Sequence, residues 1–400
     1  MNIFSKIKKV EKLPKSLRSL YFHKVIRDVG TSLVGMFGPI FVYVISGSLE
    51  FALIFYGVMN ILYILFVPLW ARLLQYKSMH IFMVIGTFSL MIYYLAFYFL
   101  DGAGQIVWPL IIVLILANIG TKLFYWVPYH IDFTLFVDKH HRGRQLSYLA
   151  ILVSLVGIVL PVLSAFVITR FGFQALFLIA IIILVISIFP LLFVPKVREK
   201  YSFKYFQTFK EFFDGQHIKT NLAYIADGFQ GNIGALIWPI FIFMILKGEY
   251  MQVGLISAAV VLISCVLRFI VGEATDKFDK QKLMKTGSIL FSIGWLFKAI
   301  IESGLHIFVV GIFHDFSAIL MRTPFNALVY EIAADEGHYV DEFTIMREIA
   351  LNMGRILMKI TALVLLFAGI SIAWIFVLGA GVSLLINLVS KEEFYFQVSK

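Results

Sequence analysis

Residues 39–45, PIFVYVI, recur in the second half of the chain as residues 239–245, PIFIFMI. Two shorter matches follow in the same order: PYH at 128–130 with PFN at 324–326, and Gly157 with Gly354. Because Ile, Phe and Val recur by chance in an apolar chain, one such match would mean little. Three matches in order, at offsets of 200, 196 and 197 residues, predict two structurally equivalent halves.

The composition around these repeats is that of a membrane protein. The 400 residues are 60% hydrophobic and 14% charged, and the mean hydropathy is +0.91. A soluble domain has about half apolar and a quarter charged residues, so it could not bury this much apolar surface. Apolar stretches of about 20 residues, long enough to span the hydrocarbon core as helices, recur along the whole sequence. The sequence therefore predicts an all-α integral membrane protein.

Windows of about 19 residues divide the chain into apolar spans, of which we count twelve. The first six lie near residues 22–46, 51–74, 79–100, 107–136, 147–169 and 173–194, and the second six near 219–246, 251–272, 284–302, 305–332, 343–369 and 371–390. Together with the repeat, they predict two pseudo-symmetric six-helix bundles, at 21–195 and 218–390, related by an axis along the membrane normal. The remaining segments are a basic N-terminal segment at 1–20, a linker at 196–217 and a tail at 391–400.

Lys and Arg residues are unequally divided between the two sides of the predicted membrane. One side collects the basic residues of 1–20, 72–77, 139–144, 196–210 and 277–285, whereas the other carries little beyond Arg170 and Lys247. Because cationic loops are retained in the cytoplasm, both termini are predicted to be cytoplasmic, in a multi-pass protein of a prokaryotic plasma membrane. The same short loops account for the formal net charge of +10, so we expect no nucleic-acid partner.

The linker has a helical amphipathic pattern. Its aromatic residues are spaced close to a helical period and alternate with charged residues: Phe203, Phe206, Phe209 and Phe213, with Lys204, Lys210 and Glu211 between them. The pattern predicts a short helix lying in the cytoplasmic membrane interface, and docking of a partner is the alternative.

A pattern of glycine and charged residues marks the loop between the eighth and ninth spans. Residues 272–282 read GEATDKFDKQK. This loop resembles the cytoplasmic loop signature of the major facilitator superfamily, which is Gly, three residues, Asp, a basic residue, an aromatic residue and further basic residues. Asp279 replaces the second glycine of the signature, and the first-half copy at 68–72, PLWAR, has proline for glycine and arginine for aspartate.

The resemblance implies a twelve-helix transporter fold whose first, fourth, seventh and tenth helices line a central cavity. It also implies a latch between the two halves on the predicted cytoplasmic side, where a carboxylate near a helix N-terminus is favoured by the helix dipole. The latch residues are Gly272, Asp276, Lys277 and Lys280.

Charged residues inside the spans mark candidate sites, because a charge at a helix centre costs roughly 2.5 to 3.5 kcal/mol. Lys122 lies midway along the fourth span, with Asn118, Tyr125 and Trp126 within one helical turn of it. The other predicted substrate-binding residues are Asn232, Arg322, Arg355 and Lys359, in the seventh, tenth and eleventh spans. The four basic residues of this set predict an electropositive cavity for a small anionic solute, and a structural ion pair is the alternative for Lys122.

Four further ionisable residues form the predicted proton-coupling set: Asp28, Asp227, His314 and Asp315. A histidine beside a carboxylate can exchange protons near neutral pH, and Asp227 corresponds closely to Asp28 in the repeat. A satisfied polar pair between helices is the alternative for His314 and Asp315.

The sequence carries no motif of the common hydrolases, metalloproteases or nucleotide-binding enzymes, and no Cys/His cluster with metal spacing. We therefore expect no enzymatic activity, no cofactor and no metal. The function predicted is secondary active transport of a small anionic solute by alternating access, coupled to protons, by a monomer. A lipid or lysolipid flippase and a drug exporter on the same fold are the alternatives, given 41 Phe residues and the small residues around Pro161 in the fifth span.

Overall fold

The computed structural model describes residues 15–129, 142–194, 201, 203–214, 217–275, 279–335 and 340–389. All regular secondary structure in these residues is helical. The first half contains α1 (Lys15–Val34), α2 (Phe37–Ser46), α3 (Leu49–Ala71), α4 (Met79–Ala103), α5 (Trp108–Thr121) and α6 (Arg142–Leu191). After the linker helix α7 (Tyr205–Phe212), the second half contains α8 (Ile218–Asn232), α9 (Trp238–Ile245), α10 (Tyr250–Thr275), α11 (Lys280–Lys298), α12 (Gly304–Asp335), α13 (Val340–Phe367) and α14 (Trp374–Ser383).

Nine helical segments of the described residues are long and apolar enough to cross a membrane, and a shorter apolar helix covers Trp374–Leu388. Large apolar side chains cover their outward faces; Ile182 and Phe189, for example, expose 60% and 65% of their surface. Such a surface belongs in lipid rather than in water. The chain is therefore a multi-pass membrane protein, and the number of twelve spans stays a prediction.

Helix breaks precede both prolines of the longest repeat. The first predicted span is interrupted at residues 35–36, between α1 and α2, shortly before Pro39. The seventh is interrupted between α8 and α9 by a π-helical turn at Ile233–Ile237, shortly before Pro239. Proline has no N–H to donate, and its ring displaces the carbonyl four residues earlier, so the ladder of hydrogen bonds opens there. The position of the helix break thus repeats together with the sequence, although the first break is a turn and the second a π-helical turn.

The second proline match is not repeated in the backbone. A π-helical turn, Lys122–Trp126, follows α5 and ends shortly before Pro128. Its counterpart Pro324 lies inside α12, which continues on both sides of it. The fourth and tenth spans therefore differ in backbone conformation around the matched prolines, and side chains near them point in different directions.

The predicted fifth and sixth spans, 147–169 and 173–194, are joined in one helical stretch, α6. Its backbone bends at Gly172, where φ is 79° and ψ is 176°. This conformation is open to glycine and costly for other residues. The chain therefore changes direction at a single residue, without a separate loop.

The two halves of the chain meet along two seams, one between α3 and α13 and one between α6 and α10. Helices α2 and α9 also touch. Within the second half, α8 and α13 approach backbone to backbone, since a Cβ on Gly354 would lie 1.9 Å from the carbonyl oxygen of Ile225. Small residues generally mark such close approaches in membrane helices, and this contact is the physical reason for a glycine at 354.

The linker helix α7 is shorter than the predicted aromatic pattern. Phe206 and Phe213 expose 82% and 68% of their surface, whereas Phe203 is buried. Exposed aromatic side chains suit a helix in the membrane interface. The side-chain amide of Asn221 donates to the carbonyl oxygen of Phe212 at 2.7 Å and ties the linker to α8.

Candidate solute-binding site

Polar and charged side chains from four helices meet near the middle of the molecule in what we call the central cluster. It comprises Asn60 and Tyr63 of α3, Lys122 after α5, Asn232 at the end of α8, and Glu348, Asn352, Arg355 and Lys359 of α13. Half of the predicted substrate-binding residues therefore lie together. Helix α13 supplies four members because residues 348, 352, 355 and 359 recur at helical spacing on one face.

Lys359 is buried and hydrogen-bonded to three oxygen atoms. Its Nζ donates to Asn60 Oδ1 at 2.9 Å, to the carbonyl oxygen of Arg355 at 3.2 Å, and to Asn232 Oδ1. An ammonium group has three N–H bonds. Every N–H donor of Lys359 is thus used inside the protein. Lys359 was predicted to bind the substrate, but in this conformation it links α3, α8 and α13.

Two further hydrogen bonds cross the seam between α3 and α13. Asn60 Nδ2 donates to Asn352 Oδ1 at 2.7 Å, and the Tyr63 hydroxyl donates to Glu348 Oε2 at 3.2 Å. Arg355 Nη1 donates to the same Asn352 Oδ1 at 3.2 Å. Asn352 Nδ2 also donates to the carbonyl oxygen of Glu348 at 2.8 Å, so these bonds form one network that offsets the desolvation cost of the buried polar groups.

Lys122 differs from Lys359 in being half-buried and in having no hydrogen-bond acceptor among the described residues. Its Nζ lies 5.6 Å from the centre of the Tyr63 ring, and the described residues place no hydrogen-bond acceptor or ion-pair partner on it. Its charge interacts with those of Arg355 and Glu348. One turn earlier, the buried Oδ1 of Asn118 has no partner in the described part of the chain. An ammonium and an amide inside the bundle therefore keep unused hydrogen-bonding capacity.

The central cluster is electropositive. It holds three basic side chains, Lys122, Arg355 and Lys359, against the one carboxylate of Glu348. Their mutual repulsion is weakly screened inside the protein. An anion between Lys122 and Arg355 would reduce this repulsion, so the arrangement suits an anionic solute. In the described ranges, no group of three or more His, Cys, Asp or Glu side chains could hold a metal ion.

Arg322, predicted to bind the substrate, forms an ion pair with Asp227, which was predicted to couple protons. Arg322 Nη2 lies 3.3 Å from Asp227 Oδ1, which also accepts a hydrogen bond from Gln230 Nε2 at 2.8 Å. The side chain of Arg322 is 37% exposed and that of Asp227 11% exposed. Because the two charges balance each other, this pair adds little net charge to the interior.

The two predicted aromatic ligands lie against α1, in a second group that we call the α1 cluster. Its members are His23, Lys24, Arg27, Asp28, Tyr125 and Trp126. The centre of the Tyr125 ring lies 3.5 Å from the guanidinium carbon of Arg27, and the Tyr125 hydroxyl lies 3.1 Å from His23 Nε2. Asp28, predicted to couple protons, forms an ion pair with Lys24.

His314 and Asp315 face different neighbours although they are adjacent in sequence. The His314 ring packs on Phe291 and Trp295, with ring centres 4.2 and 4.4 Å apart. Asp315 Oδ2 accepts a hydrogen bond from Ser264 Oγ at 3.0 Å. Successive residues of a helix point about 100° apart, so the two side chains do not meet. The predicted proton exchange between them has no direct path in this conformation.

Lys298 of α11 is a buried cation that is not among the predicted site residues. Its Nζ lies 4.1 Å from the ring centre of Trp238 and 4.5 Å from that of Trp295. Its charge interacts with those of Asp315 and His314. The residue belongs to the ninth predicted span, outside the four spans that the resemblance assigns to the cavity. The sequence signal that could have identified Lys298 was a charged residue within an apolar helix.

Most of the predicted latch cannot be placed. Asp276 and Lys277 lie outside the described residues. Gly272 and Lys280 are described by their backbone alone, near the end of α10 and at the start of α11. The latch therefore stays a prediction.

Asp279, the departure from the loop signature, caps α11. Its Oδ1 accepts the backbone N–H groups of Gln281 at 2.8 Å and Lys282 at 3.0 Å. These N-terminal amides, that of Lys282 most strongly, hold the pKa of the Asp279 carboxyl below its ordinary value. A glycine at this position has no side chain and could not accept these two hydrogen bonds.

No profile of a known protein family matches the chain. One curated protein, the uncharacterized protein YqgE of Bacillus subtilis (strain 168), is 24% identical over 258 residues. The match covers 61% of this chain and 59% of that protein's length.

Solved structures match nearly the whole chain. The D-xylose-proton symporter has a TM-score of 0.66 and 14% identity, over 93% of this chain and 96% of that one. The major facilitator superfamily transporter FucP, in the outward conformation, has a TM-score of 0.63 and 12% identity over the same shares. A POT family transporter in complex with 5-aminolevulinic acid has a TM-score of 0.67 and 10% identity, over 94% of this chain and 95% of that one. The chain therefore has the fold of the major facilitator superfamily, as its loop signature indicated.

Proposed function

We propose that the protein is a secondary active transporter that moves a small anionic solute across the membrane by alternating access. The observation that carries the proposal is the ammonium of Lys122, which is half-buried inside the bundle, lacks an acceptor among the described residues, and interacts with the charge of Arg355. A charge in that position is costly unless an anion or water compensates it. We assign Lys122 and Arg355 to the solute, with Asn118 as a further polar contact.

Alternating access is supported by the polar seam between α3 and α13. Three hydrogen bonds cross it, from Lys359, Asn60 and Tyr63. Polar contacts between the halves can be exchanged for water or solute contacts when the halves separate, at less cost than an apolar core. The similar structures include a transporter in an outward conformation and a proton symporter, which fits both alternating access and coupling to protons.

Asp28, Asp227, His314 and Asp315 remain the candidates for proton coupling. Asp315 is the best placed of them, because it interacts with the hydroxyl of Ser264 and with the charges of Lys298 and Arg268. A carboxylate whose partner is another titratable group can change its protonation with conformation.

The test uses purified protein in proteoliposomes and a panel of radiolabelled small anions, after a thermal-shift screen has selected those that bind. Lys122→Met keeps the bulk of the side chain and removes its charge. Loss of one contact to a charged group corresponds to about 10- to 100-fold weaker binding. The matched control is Arg170→Met, which removes an exposed charge near the bend of α6. Equal affinity in the Lys122 variant and the parent would return Lys122 to a structural role.

A lipid or lysolipid flippase is the second candidate, and one observation favours it. An apolar groove of about 540 Å³ lies between α6 and α10, lined on one side by residues such as Leu163 and Phe166 and on the other by Met251 and Leu262. It lies on a seam between the halves, where lipid could enter sideways. Transfer of headgroup-labelled lipids in the same proteoliposomes, without uptake of anions, would favour this function over solute transport.

We further propose that both termini are cytoplasmic, that the protein belongs to a prokaryotic plasma membrane, and that a monomer is the working unit. The basic loops support the orientation. Cysteine accessibility at Arg170→Cys and Lys282→Cys, on the outer and cytoplasmic sides of this topology, tests the orientation.

A further inference from the structure

Arg27 is a fully buried cation with unused hydrogen-bonding capacity. Its side chain is 1% exposed, so it does not reach the membrane surface along its stem. Its Nε and Nη1 have no hydrogen-bond partner in the described part of the chain. A guanidinium always carries its charge and has five N–H bonds in one plane. Arg27 therefore holds a charge and two donor atoms that the described residues leave unsatisfied.

The neighbouring carboxylate is already paired with another cation. Asp28 forms its ion pair with Lys24, one helical turn earlier, because residues four apart share a helix face and adjacent residues do not. The α1 cluster thus contains two cations, Lys24 and Arg27, and one carboxylate. One positive charge is left over, and it lies on Arg27.

The other contacts of Arg27 are with neutral groups. The guanidinium carbon of Arg27 lies 3.5 Å from the centre of the Tyr125 ring, and the Tyr125 side chain also interacts with the guanidinium by a hydrogen bond, but Nε and Nη1 keep no partner in the described residues. His23 Nδ1 lies 2.7 Å from the carbonyl oxygen of Ser187, so this nitrogen carries the hydrogen and donates it. The other ring nitrogen, Nε2, then accepts from the Tyr125 hydroxyl at 3.1 Å. None of these groups supplies a negative charge.

Arg27 and Lys122 flank the same π-helical turn. Lys122 begins the turn at Lys122–Trp126, and Tyr125, which stacks on Arg27, belongs to it. Lys122 is placed next to α3 and α13, whereas Tyr125 is placed next to α1. Two cations that make no ion pair with the described residues therefore stand on either side of one short stretch of backbone.

We propose that Arg27, held by Tyr125, is a second anion-binding residue, which takes an oxyanion of the transported solute: a carboxylate, phosphate or sulfate group. The inference rests on the proposed function and deepens it, because it assigns a second contact in the first half of the chain. Oxyanions are the groups that accept several N–H donors of a guanidinium at once. A bound oxyanion would satisfy the free nitrogens of Arg27 and balance the excess charge of the α1 cluster.

The experiment measures binding of three probes, inorganic phosphate, sulfate and succinate, to the purified full-length protein at constant ionic strength. Isothermal titration gives the dissociation constant and thermal unfolding gives the stabilisation by each probe. The variants are Arg27→Met, Arg27→Lys and Lys122→Met. Arg18→Gln, which removes an exposed charge of the same helix, is the matched control.

We expect at least one probe to raise the unfolding midpoint of the parent and of Arg18→Gln. In Arg27→Met the dissociation constant for that probe should rise about 10- to 100-fold. Without probe, Arg27→Met should unfold at the same or a higher temperature than the parent, because an apolar isostere replaces an uncompensated buried charge. Arg27→Lys should keep part of the affinity, since the charge remains but the planar donors are lost. That variant also decides the matter if Arg27→Met does not fold.

Unchanged probe affinity in Arg27→Met, with a lowered unfolding midpoint, would show that Arg27 is a structural partner of Tyr125 and would overturn the inference. No stabilisation of the parent by any probe would overturn it as well. Loss of affinity in Lys122→Met alone would support the proposed function and reject the role of Arg27. Loss in Arg27→Met alone would support the Arg27 site and reject Lys122 as the principal solute contact.

Discussion

Asn60 and Lys359 are 299 residues apart in the sequence, yet Lys359 Nζ donates a hydrogen bond to Asn60 Oδ1 at 2.9 Å. Asn60 belongs to α3 and Lys359 to α13, so the bond crosses the seam between the two halves. The two side chains are 3% and 2% exposed. Water therefore does not replace the bond while the seam is closed, and its loss should be measurable as a loss of stability.

Replacing Lys359 by Met should lower the midpoint of thermal unfolding. The substitution leaves the amide oxygens of Asn60 and Asn232 without their donor, and an unpaired buried group costs about 1–3 kcal/mol. In a double-mutant cycle with Asn60→Ala, we expect a coupling free energy of about 0.5–3 kcal/mol. Strictly additive effects would contradict a direct bond across the seam.

Gly354→Ala should prevent folding or destabilise the protein by more than about 3 kcal/mol, because overpacking here meets backbone rather than a mobile side chain. The added Cβ would lie 1.9 Å from the carbonyl oxygen of Ile225 and 2.7 Å from the backbone nitrogen of Phe229. Gly381→Ala is the control, since no atom lies within 4 Å of its added Cβ. The monodisperse fraction in size-exclusion chromatography and the unfolding midpoint give the comparison, and a well-folded Gly354 variant would refute the close approach of α8 and α13.

Asp315→Asn should abolish accumulation of the solute against its gradient while leaving passive exchange. The amide keeps an acceptor for the Ser264 hydroxyl, which Asp315 Oδ2 now accepts at 3.0 Å, but it cannot exchange a proton. Uptake with and without an imposed proton gradient separates the two activities. Ser264→Ala removes the hydrogen bond and keeps the carboxylate, so it should retain coupling. If both activities fall together in the Asn variant, Asp315 is a structural residue.

Asp279→Ala should lower the unfolding midpoint at neutral pH, with a difference that shrinks in acid. The N-terminal amides of α11 lower the pKa of this carboxyl from its ordinary value of 3.8. A depressed pKa stabilises the folded protein above the ordinary value, and this contribution is lost as the pH falls from there through the depressed value. Unfolding midpoints of parent and variant between pH 7 and pH 3 should therefore converge toward the acid end. A constant difference across that range would mean that the cap acts without its charge.

Asp276→Asn should have the opposite signature to Asp279→Ala: normal stability and slowed transport. The latch role implied for Asp276 requires its charge to stabilise one arrangement of the halves over the other, which sets their populations. Asp279→Ala is the matched control, because it changes the same loop and should leave the transport rate per folded molecule unchanged. Parental transport in the Asn variant, at normal expression, would reject the latch.

The membrane character and the superfamily fold were predictable from the sequence, because apolar spans and a loop motif indicate both. Four of the eight residues of the central cluster were among the predicted substrate-binding residues, and that role stays a prediction. The face of α13 that carries Arg355 and Lys359 follows a helical pattern, and it also held Glu348 and Asn352. Asn60 was not predicted, because a single amide in an apolar helix has no sequence pattern. Its role is visible only from its hydrogen bonds to α13.

Tyr125 and Trp126 were expected beside Lys122 and instead contact α1. The prediction assumed an unbroken α-helix, in which residues three and four apart share a face. The π-helical turn inserts a residue there and moves the later side chains around the axis. A proline shortly downstream was the only sequence signal for this turn, and the uninterrupted helix around Pro324 shows that such a signal is not sufficient.

The π-helical turns at Lys122–Trp126 and Ile233–Ile237 offer a way to change the side chains that line the cavity with only a small motion of the backbone. A π-helical turn holds about one residue more than an α-helical turn, and passing that residue one turn along rewinds the intervening segment by about 100°. Such a step would carry side chains of the first turn between the neighbourhood of α3 and that of α1. In the second turn it would move the chain immediately after Asn232, which holds Lys359. Two helices could thus present a different set of side chains to the solute by a twist of one segment each, with the surrounding helices left where they are.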